Sequence, residues 1–169
     1  GASCAARLRR LDEKAEIFLY ERGSDISFAN CGLPYHIGGV IPQRQQLLVA
    51  TTEQFRDTFN VEVRTRHEVT KIDRQAQTVE VRNVASGATT TERYDYLVLS
   101  PGAAPVRPPI PGIDLPGIFS LRTLDDTDRI LGWINQRNAT RAVVVGAGYI
   151  GLEMVENLVE RGMEVTVLE

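Results

Sequence analysis

Three features of the sequence predict an α/β fold. A helix rich in small residues leads into a strand that ends in an acid, between Gly1 and Glu21. Short alternating runs follow one another between Val61 and Tyr94. A strand, a glycine-rich turn, a helix and a second strand follow from Ala142 to Glu169. The third series is a βαβ nucleotide unit, and the first is the second half of one. The expected fold is therefore two Rossmann-like nucleotide-binding units with a β-meander, both incomplete in this chain.

Gly1 to Leu11 reads as a helix whose basic end, Arg9 and Arg10, complements the helix dipole. Ile17 to Tyr20 is a short apolar strand, followed by Glu21. No strand or glycine loop precedes Gly1, so the chain is expected to be a slice of a longer one, starting at the last glycine of such a loop. Thr51 and Gln54 have capping-box spacing and predict a short helix. Val61–Arg64, Glu68–Asp73, Thr78–Val84 and Thr89–Tyr94 alternate as strands, with a turn at Ser86-Gly87. Tyr96 to Leu99 reads as a buried apolar strand running into Ser100-Pro101-Gly102. Pro101, Pro105, Pro108, Pro109, Pro111 and Pro116 exclude helix or central strand and predict a linker. Thr123 and Asp126 form a second capping box, opening a helix to about Asn135. Ala142–Val145, Tyr149–Arg161 and Val165–Leu168 complete the series as strand, helix and strand. The expected division is residues 1–108 and residues 109–169, the latter comprising the linker and the first βαβ of a second domain.

Composition narrows the function classes. A formal net charge of −3 offers no basic field for nucleic acid. No apolar run approaches the roughly 18 residues of a membrane span. Two cysteines without C-x-x-C spacing make neither a disulfide framework nor a zinc site. A reducing cytoplasm is the expected compartment.

Two stretches carry chemistry. In Val143 to Gly151, Gly146 permits the tight turn, Gly148 lets a pyrophosphate approach the backbone, and Gly151 lets helix pack on strand. The free N–H groups of the helix start then face the phosphates. Glu169, about 20 residues further on, is placed to accept a ribose 2′-hydroxyl and to repel a 2′-phosphate, which favours NAD(H) over NADP(H). The alternative is a glycine turn that only packs helix on sheet. The second stretch is Ser27 to Gly39, holding Cys31. Pro34 suits a first helical turn, so a helix is expected to start near Cys31 and to favour its thiolate. The alternative is a buried small hydrophobe, the reading given to Cys4 among its alanines. No second cysteine stands four or five positions away, so Cys31 is expected to cycle through a mixed disulfide, a persulfide or a sulfenic acid. His36 is either a proton donor to a leaving thiol or a packing residue.

With these residues in view, the chain resembles the single-cysteine branch of the pyridine nucleotide-disulfide oxidoreductases, on the side of coenzyme A-disulfide and NADH-dependent persulfide reductases. Ser27-Phe28-Ala29-Asn30-Cys31 resembles the active-site signature of that branch. Gly1 to Asp12 resembles its first FAD helix, Tyr94 to Ala103 its second flavin motif, and Gly146 to Glu153 its NAD loop. The resemblance implies that residues 1–108 are a partial FAD-binding domain. It implies FAD contacts at Gly1, Glu21, Arg22, Asn30, Cys31, Val69, Ser100, Pro101 and Gly102, with Cys31 against the flavin ring. It implies NAD(H) contacts at Gly146, Gly148, Tyr149, Ile150, Gly151, Glu153 and Glu169. It implies a coenzyme A site at Ser3, Arg7, Arg10, Ser27 and Asn30, where arginines on a helix surface suit phosphates. Phe59 stands where one reductase of the family uses a substrate lysine, a departure that fits the persulfide side. The implied enzyme is an FAD-dependent, NADH-linked reductase of a small-molecule disulfide or persulfide, a homodimer as a whole protein, with Cys31 catalytic. The alternatives are an NADH oxidase or peroxidase with a cysteine sulfenic acid, and a non-catalytic nucleotide-sensing domain.

Overall fold

The computed structural model describes residues 1–169. Its contacts divide into two units, each made of two stretches of chain: Gly1–Ser27 with Ala50–Gly102, and Phe28–Val49 with Ala103–Glu169. The chain passes from one to the other three times, within two short strands, β2 (Ser27–Phe28) and β3 (Leu48–Ala50), and again between Gly102 and Ala103.

The first unit opens with α1 (Ala2–Leu11) and β1 (Phe18–Glu21). Helix α3 (Thr52–Phe59) precedes β4 (Glu62–Thr65), which lies parallel to β1 with Phe18 opposite Glu62 and Glu21 opposite Thr65. The α1 alanines Ala5 and Ala6 allow close packing against Phe55 and Val61, and these four form one buried cluster of the unit. The capping box is present as the sequence predicts: Thr51 Oγ1 accepts the Gln54 N–H and Gln54 Oε1 accepts the Thr51 N–H. Asn60 ends α3 in the left-handed conformation, at φ 45°, a role its short amide side chain tolerates. A meander of β5 (His67–Asp73), β6 (Thr78–Asn83) and β7 (Thr89–Arg93) follows, antiparallel throughout, with the register shifting between Val69 and Lys71. Val79 and Val81 of the central strand are buried.

Arg9 has a larger part than complementing the dipole. All five of its N–H groups donate to main-chain carbonyls, of Phe59, Asp12, Glu13, Ala15 and Asn60. One side chain thus ties the end of α1 to the end of α3. Arg9→Met leaves five carbonyls without this donor, two of them in partly buried bonds. It is expected to lower stability by about 2–3 kcal/mol, read from the midpoint of urea unfolding.

The second unit begins with a 3₁₀ turn at Asn30–Gly32 and helix α2 (Leu33–Gly38). Helix α4 (Leu124–Arg137) opens at the Thr123–Asp126 capping box and stops at left-handed Asn138. Strands β8 (Arg141–Val145) and β9 (Glu164–Leu168) are parallel, joined by α5 (Tyr149–Glu160). Ile37 of α2 packs with Ile130, Met154, Leu158 and Met163, while Leu33, Leu47 and Leu124 form a second cluster. The contact of α2 with α5 is close because Gly38 has no side chain: a Cβ there would lie 2.8 Å from Asn157 Cβ. Arg161 Nη1 donates to the Ile37 carbonyl at 3.0 Å across the same contact.

Two expectations need correction. Tyr96–Leu99 is not a buried strand; it pairs with no other segment, and Tyr96 is 94% exposed and Leu99 65%. An apolar run signals that burial is favourable, but a strand exists only where a neighbour pairs its N–H and C=O groups. Cys4 is not buried among its alanines; it is exposed. Ala5 and Ala6 are the buried residues of α1, and Cys4 lies about 100° round the helix from Ala5.

Candidate active site

Helical structure starts near Cys31 as expected: the residue sits in the middle of the 3₁₀ turn, two residues before α2. Pro34 occupies the first turn of α2, as its missing N–H allows. The flanks of the turn are held firmly. The Ala29 N–H donates to Leu47 O at 2.8 Å and the Gly32 N–H to Ala29 O at 2.9 Å. Gly32 and Leu33 are buried, and a Cβ on Gly32 would press on the side chains of Leu47 and Ile41. Cys31 itself is exposed and unpaired. The sulfur is therefore presented from a packed scaffold, outside the aliphatic core.

His36 is 9% exposed, and its Nδ1 lies 2.5 Å from the Ile41 carbonyl oxygen. A carbonyl only accepts, so Nδ1 carries the hydrogen. This bond fixes the loop after α2 and favours the packing role for His36.

Asn30, next to the cysteine, has a partner that nothing in the sequence signalled. Arg122, 92 residues away, donates from Nη1 to Asn30 Oδ1 at 2.7 Å. Arg122 is in turn anchored by its main chain, whose N–H donates to Asp126 Oδ2 at 3.0 Å. The same oxygen accepts the Thr123 N–H and the Thr123 hydroxyl, both at 2.8 Å, and Arg129 pairs with the other oxygen of Asp126. Burial opposes the charge on Asp126, but the bonds from Thr123, Arg129 and the Arg122 N–H outweigh it and hold the carboxyl below the usual aspartate range. A carboxyl lowered on folding adds stability above its unfolded pKa and loses it as pH falls through the folded value. The stability difference between the protein and Asp126→Asn is therefore expected to hold above about pH 4 and to shrink below it. Urea unfolding of both at pH 6 and pH 3 checks this.

The glycine turn follows β8. Gly146 has φ +102°, which only glycine adopts readily, and its N–H donates to Leu168 O at 2.8 Å. Gly148 is the N-cap of α5, and a Cβ on Gly146 or Gly148 would meet no atom within 4 Å. Their main chain is open to a ligand. Gly151 is the opposite case: a Cβ there would overlap the Gly146 carbonyl oxygen and lie 3.1 Å from its carbon. Glu169 follows β9 beside the turn, and one of its carboxylate oxygens accepts the Ala147 N–H. Tyr149 and Ile150 are exposed at the helix start, while Glu153 is half-buried one turn later. A dinucleotide fits this set: open backbone donors at a helix start, a close-packed third glycine and a carboxylate at the end of the next strand.

The remaining sequence-predicted residues lie on the first unit. Glu21 ends β1 and accepts the Gly23 N–H at 2.6 Å. Arg22 faces Glu68 of β5 at 3.7 Å, one residue from Val69, so Glu21, Arg22 and Val69 share one end of the unit. Gly1 and Ser100 meet, with a Cβ on Gly1 lying 3.5 Å from Ser100 Cβ, and Pro101 and Gly102 follow in irregular chain. Ser3, Arg7 and Arg10 are exposed at i, i+4 and i+7 on α1, which places them on one face. Ser27 is half-buried in β2. Phe59 packs against Phe55, with ring centroids 5.0 Å apart.

Strand, glycine turn, helix and strand define an α/β fold of the dinucleotide-binding type. A family model of the pyridine nucleotide-disulphide oxidoreductases matches residues 1–169, and the chain belongs to that family. The cofactors of the family are FAD and NAD(H). A curated relative, the coenzyme A disulfide reductase of Staphylococcus epidermidis, is 48% identical over 98% of this chain and 37% of its own length. Among solved structures, reduced Bacillus anthracis CoADR-RHD superposes with a TM-score of 0.96 and 54% identity, over 99% of this chain and 30% of that one. An NAD-dependent persulfide reductase from A. fulgidus gives 0.91 and 37%, over 98% and 32%. A water-forming NADH oxidase from Lactobacillus brevis gives 0.90 and 33%, over 98% and 37%. The chain thus spans about a third of the length of the relatives it matches. No helix is long and apolar enough to cross a membrane.

Proposed function

We propose that the whole protein is a reductase of coenzyme A disulfide or persulfide that works through Cys31. The observation that carries this reading is the exposed, unpaired thiol of Cys31 on a turn whose flanks are packed. The names of the two reductase relatives favour the same substrates.

In this reading residues 1–108 form the FAD-binding part, with contacts from Gly1, Glu21, Arg22, Asn30, Cys31, Val69, Ser100, Pro101 and Gly102. Residues 109–169 supply the linker and the first βαβ for NAD(H), held by Gly146, Gly148, Tyr149, Ile150, Gly151, Glu153 and Glu169. Bound FAD and NADH supply two electrons to a disulfide. The chain's part is at sulfur. The Cys31 thiolate attacks one sulfur of coenzyme A disulfide, an S–S bond forms to Cys31, and one coenzyme A thiolate leaves. Two electrons then cleave the mixed disulfide, the second coenzyme A leaves, and Cys31 returns as thiolate. One proton from solvent, with the hydrogen that NADH gives up, completes two coenzyme A thiols. Ser3, Arg7, Arg10, Ser27 and Asn30 hold the coenzyme A, the arginines by its phosphates. The whole protein is a homodimer of the reducing cytoplasm.

The likeness to a water-forming NADH oxidase favours a second reading, in which Cys31 cycles through a sulfenic acid. Initial rates of NADH oxidation by the whole protein separate the two. Coenzyme A disulfide or persulfide is expected to give at least about tenfold higher kcat/KM than peroxide or oxygen. Preference for oxygen or peroxide overturns the reductase reading.

A further inference from the structure

Arg122 lies outside every motif of the family resemblance, yet it donates to the side chain next to the redox cysteine. That bond has a chemical consequence. A guanidinium has five N–H donors and no acceptor, so the end of the Asn30 amide facing Arg122 must be the oxygen. The Asn30 NH₂ group is left facing the other way. It has no partner in the protein, and the Arg122 bond is the one hydrogen bond of the Asn30 side chain. The main chain of Arg122 is itself anchored, because Asp126 accepts its N–H within the capping box of α4.

We infer that Arg122 is a positioning residue for substrate: it holds the Asn30 amide with its oxygen toward the guanidinium, so that the two N–H donors of the residue next to Cys31 are left for substrate. The group recognised is an acceptor on the incoming thiol compound, such as an amide carbonyl of the arm that carries the sulfur. An unlocked amide would present either end, and half of its orientations would oppose an acceptor oxygen to another acceptor. This inference rests on the reading of Cys31 as the redox residue and of Asn30 as a substrate contact.

The test is a double-mutant cycle on the whole, FAD-loaded protein, with Asn30→Ala, Arg122→Met and the pair. Two quantities are read: the dissociation constant of coenzyme A by calorimetry, and KM and kcat for coenzyme A disulfide. Each single variant is expected to raise both the dissociation constant and KM about tenfold, with kcat falling less than about threefold. The pair is expected to be no worse than Asn30→Ala alone, because Arg122 acts through that side chain. Three results overturn the inference: Arg122→Met within about twofold of the parent, losses that multiply to about a hundredfold in the pair, or a loss confined to kcat and thermal stability. Cys31→Ser, run in parallel, separates the failures. A serine variant that still reduces coenzyme A disulfide removes the underlying reading, whereas an inactive one leaves any failure with Arg122.

Discussion

Cys31→Ser in the whole protein is expected to lower kcat/KM for coenzyme A disulfide by about four orders of magnitude or more. A serine hydroxyl is not ionised near pH 7 and cannot form the mixed disulfide, so the covalent route is lost rather than slowed. The substitution is nearly isosteric at an exposed position, so folding is expected to be unaffected. Reduction of bound FAD by NADH does not pass through the sulfur and should survive, seen as bleaching of the flavin on NADH addition. Any thiolate–flavin absorption band at long wavelength should vanish from the oxidised variant. Cys4 is equally exposed, so Cys4→Ser serves as the control and should retain turnover. If the Cys31 variant kept more than about a tenth of the parent rate, the redox assignment would fail.

Gly151→Ala is expected to have the second largest effect. The added methyl carbon would overlap the Gly146 carbonyl oxygen, and Val144 Cγ1 lies 3.6 Å away on the same side. Neither β8 nor the turn is a flexible side-chain end that can swing clear, so helix α5 must shift off the strand. The cost expected is about 2–4 kcal/mol, the range for overpacking against backbone. The shift also displaces the N–H groups at the start of α5, and KM for NADH should rise at least tenfold or so. Gly148→Ala gives the contrast: its methyl meets nothing within 4 Å, so the melting temperature should hold while NADH binding weakens. Calorimetric melting and NADH titration of both variants test this. Equal melting temperatures for the two would show that Gly151 is not a packing glycine.

Much of the local structure was legible because its causes are local. Thr51–Gln54 and Thr123–Asp126 each satisfy their own helix start within four residues, and both helices open at those boxes. The meander could be read from alternation and from Gly87, which turns the chain at φ +73°. Family membership was legible from the Ser27–Cys31 stretch and the glycine fingerprint, since few residues carry both chemistries. Tyr96–Leu99 was misread for the converse reason: its sequence states a preference for burial, and the partner that would grant it is a matter of the rest of the fold.

By itself, then, the amino-acid order determined most of the helices and strands, the capped helix starts and which family the chain joins, because capping, turns and periodicity act over a few residues. Only the tertiary structure decided which distant residues meet. It placed five carbonyls around Arg9, drawn from both sides of a loop of about fifty residues. It seated Gly38 of α2 against Asn157 of α5, and it brought Arg122 to Asn30. Hydrogen bonds and close packing need groups within a few ångströms of each other, and the distance along the chain carries no record of which groups those are.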